Sequence, residues 1–226
     1  MNLSGKPCIV TGGNGALGAA VVKRLRSDGA RVAIVARGSS AQGDGMMFGG
    51  VDLADPAAAQ TAVNAAAEKL GGLYALINVA GAFRWETLAD GNVRTWDLLY
   101  STNLKTAVCA SKAALPHLIA NGGGRIVNVG AASATRAATG MGAYAASKAG
   151  VAKLTEALSE EVKANGITVN AVLPSIIDTA ANRKEMPNAD YNKWVRPEAI
   201  AELIVFLLSD RGSAITGALI PITGRV

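Results

Sequence analysis

The chain has 226 residues, of which 50% are hydrophobic and 17% charged, so it can bury a large core and is not intrinsically disordered. The net charge is +5, but no run of basic residues exceeds two and only three phenylalanines are present, which argues against nucleic acid as the main partner. Cys8 and Cys109 form neither a disulfide framework nor a metal motif. No apolar run is long enough for a membrane span, and residues 1–6 do not resemble a signal peptide. We therefore expect a soluble, cytoplasmic protein without a metal site.

Strand and helix patterns alternate from the start of the chain. A strand over residues 6–11 leads into a helix over 15–28, which Gly29 ends. The near-continuous apolar run 31–36 is typical of a strand buried on both faces of a parallel sheet. The next predicted elements are a strand within 46–51, a helix from Asp55-Pro56 to about Leu70, and a strand over 73–79.

The second half of the chain continues the alternation. A long helix over 93–119, in one or two pieces, is ended by three glycines, and segment 178–195 has no clean period and predicts a loop with short helices. No linker rich in Pro, Gly or Ser divides residues 1–226, so we predict one doubly wound α/β domain. The remaining predicted elements are strands over 125–129, 167–173 and 218–222 and helices over 142–165 and from Pro197.

A glycine-rich turn joins the first strand to the first helix. It reads Thr11-Gly12-Gly13-Asn14-Gly15-Ala16-Leu17-Gly18. Glycines let the backbone turn tightly and approach a pyrophosphate, whose negative charge the helix N-terminus stabilises. An ordinary tight turn without a ligand is the alternative. The candidate cofactor-binding residues here are Gly12, Asn14, Ala16, Leu17 and Gly18.

Residues after the next strands indicate which dinucleotide binds. The second strand ends in Ala36-Arg37 instead of an acid, so Arg37 could face the 2′-phosphate of NADP(H); NAD(H) remains possible, and an unliganded surface arginine is the alternative. Asp52-Leu53 closes the third strand, where the carboxylate could accept a hydrogen bond from the adenine amino group. Asn78-Val79-Ala80-Gly81 follows the fourth strand at the ligand-binding edge, where a loop-capping role for Asn78 is the alternative.

A tyrosine and a lysine lie one helical turn apart in Tyr144-Ala145-Ala146-Ser147-Lys148. This spacing places the ammonium close to the phenol on one helix face. A nearby positive charge favours phenolate, so we expect the pKa of Tyr144 to be lowered. The pair could then exchange a proton with a carbonyl or an alcohol. Alone, the motif more often marks a solvated helix face, but the glycine-rich turn favours the catalytic interpretation.

Together these motifs resemble the short-chain dehydrogenase/reductase family over essentially the whole chain. The resemblance implies a seven-stranded parallel Rossmann sheet and hydride transfer between NAD(P) and a carbonyl or alcohol. The motifs that carry it are 11–18, Asp52-Leu53, 78–81, Asn103-Leu104, 124–128, 144–150, 169–174 and 215–217.

The resemblance also implies roles for individual residues. Tyr144 would be the acid/base, and Lys148 would bind the nicotinamide ribose and lower the tyrosine pKa. Asn103 would hold a water in a proton relay through the helix backbone. The remaining residues implied at the cofactor are Pro174, Ile177 and Thr179, the last two at the nicotinamide carboxamide.

The chain departs from the family pattern at three positions. Ala16 replaces a glycine of the fingerprint, and Val79 replaces the second Asn of the usual Asn-Asn-Ala-Gly. Ala131 occupies the position of the usual catalytic serine. Ser133 is the nearest serine; an extended segment would displace it by about 6–7 Å. Ser133 is therefore a candidate catalytic residue, with a loop serine of no catalytic role as the alternative.

Two features are similar to dihydropteridine reductases. Residues 38–45 form a loop where other family members have a helix, and segment 178–191 matches the corresponding pterin-enzyme segment. Those enzymes lack the catalytic serine as well and reduce a quinonoid dihydropterin. Arg37 argues against this alternative because an NADH-preferring pterin enzyme would have an acid there.

The sequence therefore predicts an NADP-dependent oxidoreductase acting on a small carbonyl, alcohol or pterin. A cofactor-binding regulatory protein with weak catalysis is the alternative from another class, motivated by Ala131. In related enzymes the long helix and the Tyr144 helix build a dimer interface, so the resemblance also implies a homodimer or homotetramer.

Overall fold

Seven strands form the central sheet of the computed structural model, which describes residues 3–38 and 46–226. All strand pairs are parallel, as expected where each crossover contains a helix. The strands are β1 (Pro7–Thr11), β2 (Arg31–Val35), β3 (Met47–Phe48), β4 (Ala75–Asn78), β5 (Gly124–Val129), β6 (Ile167–Pro174) and β7 (Leu219–Ile222). Their spatial order is β3-β2-β1-β4-β5-β6-β7, which confirms the predicted doubly wound fold.

Helices connect the strands at the positions that the periodicity predicts. Asp55 caps the second helix through Oδ1, which accepts a 2.8 Å hydrogen bond from the Ala58 amide, and Gly71 ends it in the left-handed region. The helices are α1 (Ala16–Ser27), α2 (Pro56–Leu70), α3 (Val93–Leu99), α4 (Thr106–Ala120), α5 (Gly142–Val162), α6 (Ala180–Glu185) and α7 (Pro197–Leu208).

Two apolar layers cover the sheet because successive strand residues point to opposite faces. In β1, Cys8 and Val10 pack in the layer that contains α1 and α7, whereas Ile9 packs in the layer that contains α2 and α4. Both cysteines are buried free thiols, as predicted. Across residues 3–38 and 46–226, no helix combines the length and apolarity needed to cross a bilayer.

The long helix predicted over 93–119 consists of two helices joined by a wider turn. Residues Tyr100–Lys105 form a π-helical segment between α3 and α4, in which the Thr106 amide donates to the Ser101 carbonyl. This segment contains Asn103, whose side chain is buried. The two-piece version of the prediction is therefore confirmed.

Segment 178–195 contains α6 and a short turn at Tyr191–Lys193, as predicted for a loop with short helices. Ile177 and Val195 form an isolated parallel bridge at its two ends. The loop predicted over 38–45 lies outside the described residues, apart from Gly38.

Candidate active site

A cleft of about 510 Å³ opens at the carboxyl ends of the strands. It lies where β1 and β4 are neighbours and the chain connections leave in opposite directions, the usual ligand position in such sheets. The predicted site residues that line it are Gly12, Asn14, Ala16, Leu17, Gly18, Arg37, Leu53, Ala80, Gly81, Tyr144, Lys148, Pro174 and Ile177.

The glycine-rich turn forms one wall of the cleft. Gly12 has a φ of +65°, and a Cβ there would lie 2.8 Å from the Ala80 Cα, so this position requires glycine. Gly15 begins α1 without a side-chain cap, which leaves the helix N-terminus available to an anion. The Ala16 methyl group is exposed in the cleft and leaves the turn undistorted.

Thr11 joins this turn to the end of β4. Its Oγ1 accepts hydrogen bonds from the Val79 amide at 3.1 Å and the Ala80 amide at 3.2 Å. The sequence motif contains Thr11, but sequence reasoning gave it no role. Its hydroxyl group holds the backbone that carries Ala80 and Gly81 into the cleft.

Asn78 lies beside the cleft but faces the core, where its side chain is 4% exposed. Its Nδ2 donates to Ser111 Oγ at 3.1 Å and to Asn128 Oδ1 at 2.9 Å. These two bonds occupy both N–H groups of the side-chain amide. The structure therefore does not bring the Asn78 side chain to a cofactor, as the sequence suggested it would. Asn78 instead links β4 to α4 and β5.

Arg37 and Asp52 lie at the outer end of the cleft. Arg37 Nη2 is 3.9 Å from Asp52 Oδ1, and both side chains are more than half exposed. Asp52 Oδ1 also accepts a 3.0 Å bond from the Ala54 amide, so Asp52 caps its own turn and does not line the cleft. Since exposed ion pairs contribute little, the Arg37 guanidinium is available to an anionic ligand.

Tyr144 and Lys148 lie in the first turns of α5 and both line the cleft. Lys148 is 4% exposed, and its Nζ donates a 2.7 Å hydrogen bond to the Val129 carbonyl. Burial lowers the pKa of Lys148 to about 8 because the charged form loses its hydration.

Burial also raises the pKa of Tyr144 to about 12. The lowered tyrosine pKa predicted from the sequence is therefore wrong for this arrangement. Desolvation disfavours the phenolate, and the Lys148 ammonium is directed to the Val129 carbonyl. The phenol is held protonated, in the form that donates a proton.

Asn103 connects the loop after β4 to the Tyr144 helix. Its Nδ2 donates to the Ala82 carbonyl at 3.0 Å and to Ser147 Oγ at 2.9 Å, and its Oδ1 accepts from the Ala82 amide at 2.7 Å. Ser147 Oγ in turn donates to the Tyr144 carbonyl at 2.7 Å. The Asn103 side chain therefore positions its neighbours and does not line the cleft.

Ser133 lies outside the lining of the cleft, whereas Tyr144 lies in it. Residues Ala132–Ala134 form a short helical turn instead of the extended segment considered from the sequence. Within the described chain, Ser133 Oγ is buried without a hydrogen-bond partner, and the residue does not line the cleft. Ala131 is 5% exposed, and its methyl side chain has no hydrogen-bond donor. The structure therefore does not support Ser133 as a replacement for the missing serine.

The last strands supply the remaining wall. Ile177 lines the cleft, whereas Thr179 caps α6, its Oγ1 accepting a 3.2 Å bond from the Asn182 amide. Sequence reasoning missed several cleft residues that carry no motif signal, because only tertiary packing brings the β4 loop, the π-helical segment, the start of α4 and the ends of β5 and β6 to the cleft. These are Phe83, Thr102, Thr106, Val129, Gly130 and Ser175.

The fold and this cleft define a Rossmann-type domain with a dinucleotide-shaped site and a tyrosine–lysine pair. The family model described as short chain dehydrogenase matches residues 6–190, and the chain belongs to the short-chain dehydrogenase/reductase family. It is accordingly an oxidoreductase of the NAD(P)-dependent type.

Similar proteins match along nearly the whole length of the chain. A 3-oxoacyl-acyl-carrier-protein reductase of Vibrio cholerae is 31% identical over 239 residues, covering 99% of this chain and 98% of the relative. A D-threitol dehydrogenase of Mycolicibacterium smegmatis is 32% identical over 241 residues, covering 98% and 93%. A Burkholderia cenocepacia short chain dehydrogenase, solved in complex with NADP, is 34% identical with a TM-score of 0.87, covering 99% and 98%.

Proposed function

We propose that the enzyme transfers hydride between NADP(H) and a carbonyl or alcohol substrate, with Tyr144 as the acid/base. One observation carries this proposal: Tyr144 and Lys148 line the same cleft as the glycine-rich turn and the α1 N-terminus. A protonated phenol and a nucleotide-binding turn in one cleft are the parts that such a reaction needs.

The residues fit the implied dinucleotide. The open N-terminus of α1 suits a pyrophosphate, Leu53 offers an apolar surface for adenine, and Lys148 suits the ribose next to the nicotinamide. A bound NADP(H) supplies or accepts the hydride. Tyr144 donates its proton to the substrate oxygen in the reducing direction.

Arg37 supports a preference for NADP(H) over NAD(H). It lines the cleft at the end of β2, is mostly exposed and has only a loose contact with Asp52. A planar guanidinium binds two oxygens of a phosphate through paired hydrogen bonds. The NADP complex of the Burkholderia relative agrees with this preference.

The names of the relatives agree with a carbonyl or alcohol substrate, since one is a ketone reductase and another an alcohol dehydrogenase. Quinonoid dihydropterin is the second candidate, and Ala131 favours it. Ala131 has no donor at the usual serine position and Ser133 lies outside the lining of the cleft, so neither residue assists Tyr144 there. A conjugated pterin ring demands less stabilisation of oxygen charge than a ketone.

We also propose a homodimer or homotetramer in a reducing compartment, the cytoplasm. Large apolar side chains are exposed along α3, the π-helical segment and the start of α4. Such a row of exposed apolar side chains is unusual on the surface of a monomer. They are Val93, Trp96, Leu98, Tyr100 and Val108.

The test is oxidation of NADPH by the purified protein with an aryl ketone, an aryl aldehyde and quinonoid dihydropterin in parallel. Turnover on a simple carbonyl supports the proposal. Turnover on the pterin alone makes the second candidate correct. Tight cofactor binding without turnover on any of the three contradicts the catalytic proposal and favours a regulatory protein.

A further inference from the structure

The loop after β4 places an aromatic ring beside the proposed acid. The Phe83 and Tyr144 rings lie 4.9 Å apart between centroids, and their planes cross at 84°. Phe83 lines the cleft, yet 57% of it is exposed. One part of the Phe83 ring therefore packs on Tyr144, and the remainder offers an apolar surface to a molecule that enters the cleft.

A second exposed aromatic ring, that of Trp85, lies two residues further along the same loop. Trp85 is 60% exposed and packs directly against Gly140, where a Cβ would overlap the indole ring. Gly140 has a φ of +74°, and its carbonyl accepts a 2.8 Å hydrogen bond from the Glu86 amide. The loop after β4 is thus fastened to the segment that leads into α5.

Both rings are held on a fixed backbone. On one side of Phe83, Asn103 binds both the amide and the carbonyl of Ala82. On the other side of Trp85, Glu86 Oε1 accepts a 2.7 Å bond from the Asn92 amide. An aromatic surface that is already in place binds a flat ligand without the entropic cost of ordering a loop.

The exposure of these rings has no structural explanation in the fold of the chain. Aromatic residues make up only 4% of the sequence, and an exposed aromatic ring that lines a cleft, as Phe83 does, commonly marks a binding surface. A flat aromatic ligand buries this surface by stacking on it. Stacking adds binding free energy beyond that of the buried apolar area. A flexible aliphatic ligand gains only the free energy of burying apolar surface area.

We propose that Phe83, with a smaller contribution from Trp85 on the same loop, selects substrates whose carbonyl carbon is attached to an aromatic ring, together with the matching aryl alcohols. This inference rests on the proposed function and adds the substrate class. A ring packed on Phe83 brings its carbonyl to Tyr144, because Phe83 itself touches Tyr144. The carbonyl carbon gains the hydride of NADPH and its oxygen takes the Tyr144 proton, which yields an aryl carbinol and NADP⁺.

The test compares benzaldehyde with cyclohexanecarbaldehyde, which has the same carbon count but no aromatic ring. In Phe83→Leu, we expect the ratio of kcat/KM for benzaldehyde to that for cyclohexanecarbaldehyde to fall about threefold to tenfold below the wild-type ratio. In Trp85→Leu, we expect a fall of about twofold to fivefold. Leu88→Ala is the matched control, since Leu88 is an exposed apolar residue of the same loop, and it should leave the ratio unchanged.

Binding is measured separately from turnover. In Tyr144→Phe saturated with NADP⁺, we expect benzyl alcohol to bind at least about threefold more tightly than cyclohexylmethanol. Adding Phe83→Leu should remove that preference. Because Phe83 is largely exposed, the substitution should leave the fold intact.

The outcomes separate this inference from the proposed function. Turnover of both aldehydes with a ratio unchanged in Phe83→Leu and Trp85→Leu overturns the aromatic selection and leaves the proposed function standing. No turnover, with a binding preference that depends on Phe83, contradicts the proposed function and supports the ring site. Neither turnover nor a binding preference overturns both.

Discussion

Asn103 Nδ2 lies 2.9 Å from Ser147 Oγ, and this hydrogen bond joins the π-helical segment to the helix that carries Tyr144. Through its other two bonds the same side chain fixes both backbone groups of Ala82. One amide thereby sets the distance between the loop at the cleft and the proposed acid. The side chain is a positioning group.

Asn103→Ala should lower the free energy of unfolding by about 1–3 kcal/mol, because it removes three hydrogen bonds of a buried side chain, two to Ala82 and one to Ser147. Urea unfolding measures this loss. Asn64→Ala is the control; Asn64 is exposed and bonds to Gln60 and His117 at the surface, so the change should stay within about 0.5 kcal/mol. Equal losses in the two variants would contradict the positioning role.

Tyr144→Phe should reduce kcat by roughly two to four orders of magnitude, since it removes the proton donor and leaves the ring in place. Steady-state kinetics with NADPH measure the effect. Tyr100→Phe is the matched control, because Tyr100 is 54% exposed and lies outside the cleft. Turnover of Tyr144→Phe close to that of the control would refute the acid/base assignment.

Lys148→Met should stabilise the protein at pH 7 by about 1–3 kcal/mol while reducing activity. The folded-state pKa of Lys148 is about 8, below the ordinary value of 10.5. Between these values the unfolded chain binds more protons than the folded one, so the wild type gains stability as pH rises through this window.

The advantage of Lys148→Met should consequently shrink between pH 7 and about pH 9.5. Unfolding curves at both pH values measure it. Lys153→Met, on the exposed face of the same helix, is the control for removing a lysine from the surface. A constant difference between Lys148→Met and the wild type at both pH values would contradict the lowered pKa.

Arg37→Leu should lower kcat/KM for NADPH by about tenfold to a hundredfold and leave the value for NADH nearly unchanged, because only the 2′-phosphate loses a charged hydrogen bond. Arg31→Leu, at the opposite end of β2 where the guanidinium binds the Gly5 carbonyl, is the control. Equal or better efficiency with NADH in the wild type would refute the NADP preference.

The exposed apolar face along α3 predicts self-association. Light scattering should give a mass of at least twice the 22.9 kDa of one chain. A charge placed on that face, as in Val93→Glu, should shift the protein toward monomer, since burying an unpaired charge opposes association. Gln60→Glu adds the same charge on the exposed surface of α2, where Gln60 bonds to Asn64, and should not. A wild-type mass of one chain would contradict the proposal.

The order and type of the helices and strands were predictable because apolar periodicity and glycine stops report local structure directly. The glycine-rich turn and the Tyr144–Lys148 pair were also predictable, since each motif is short and continuous. The direction of the Tyr144 pKa was not, because burial depends on everything packed around the ring. Phe83 was missed for a similar reason: its contact with Tyr144 joins residues 61 positions apart, and no local pattern records it.

The Thr11 hydroxyl group, which accepts from two consecutive amides of the β4 loop, has a consequence for how a ligand is received. The backbone of the β4 loop is fixed when the protein folds. The protein therefore loses little conformational entropy when a ligand binds. The rate of ligand association at this end of the cleft should depend on diffusional collision and desolvation. Conformational rearrangement of the protein should contribute little to that rate.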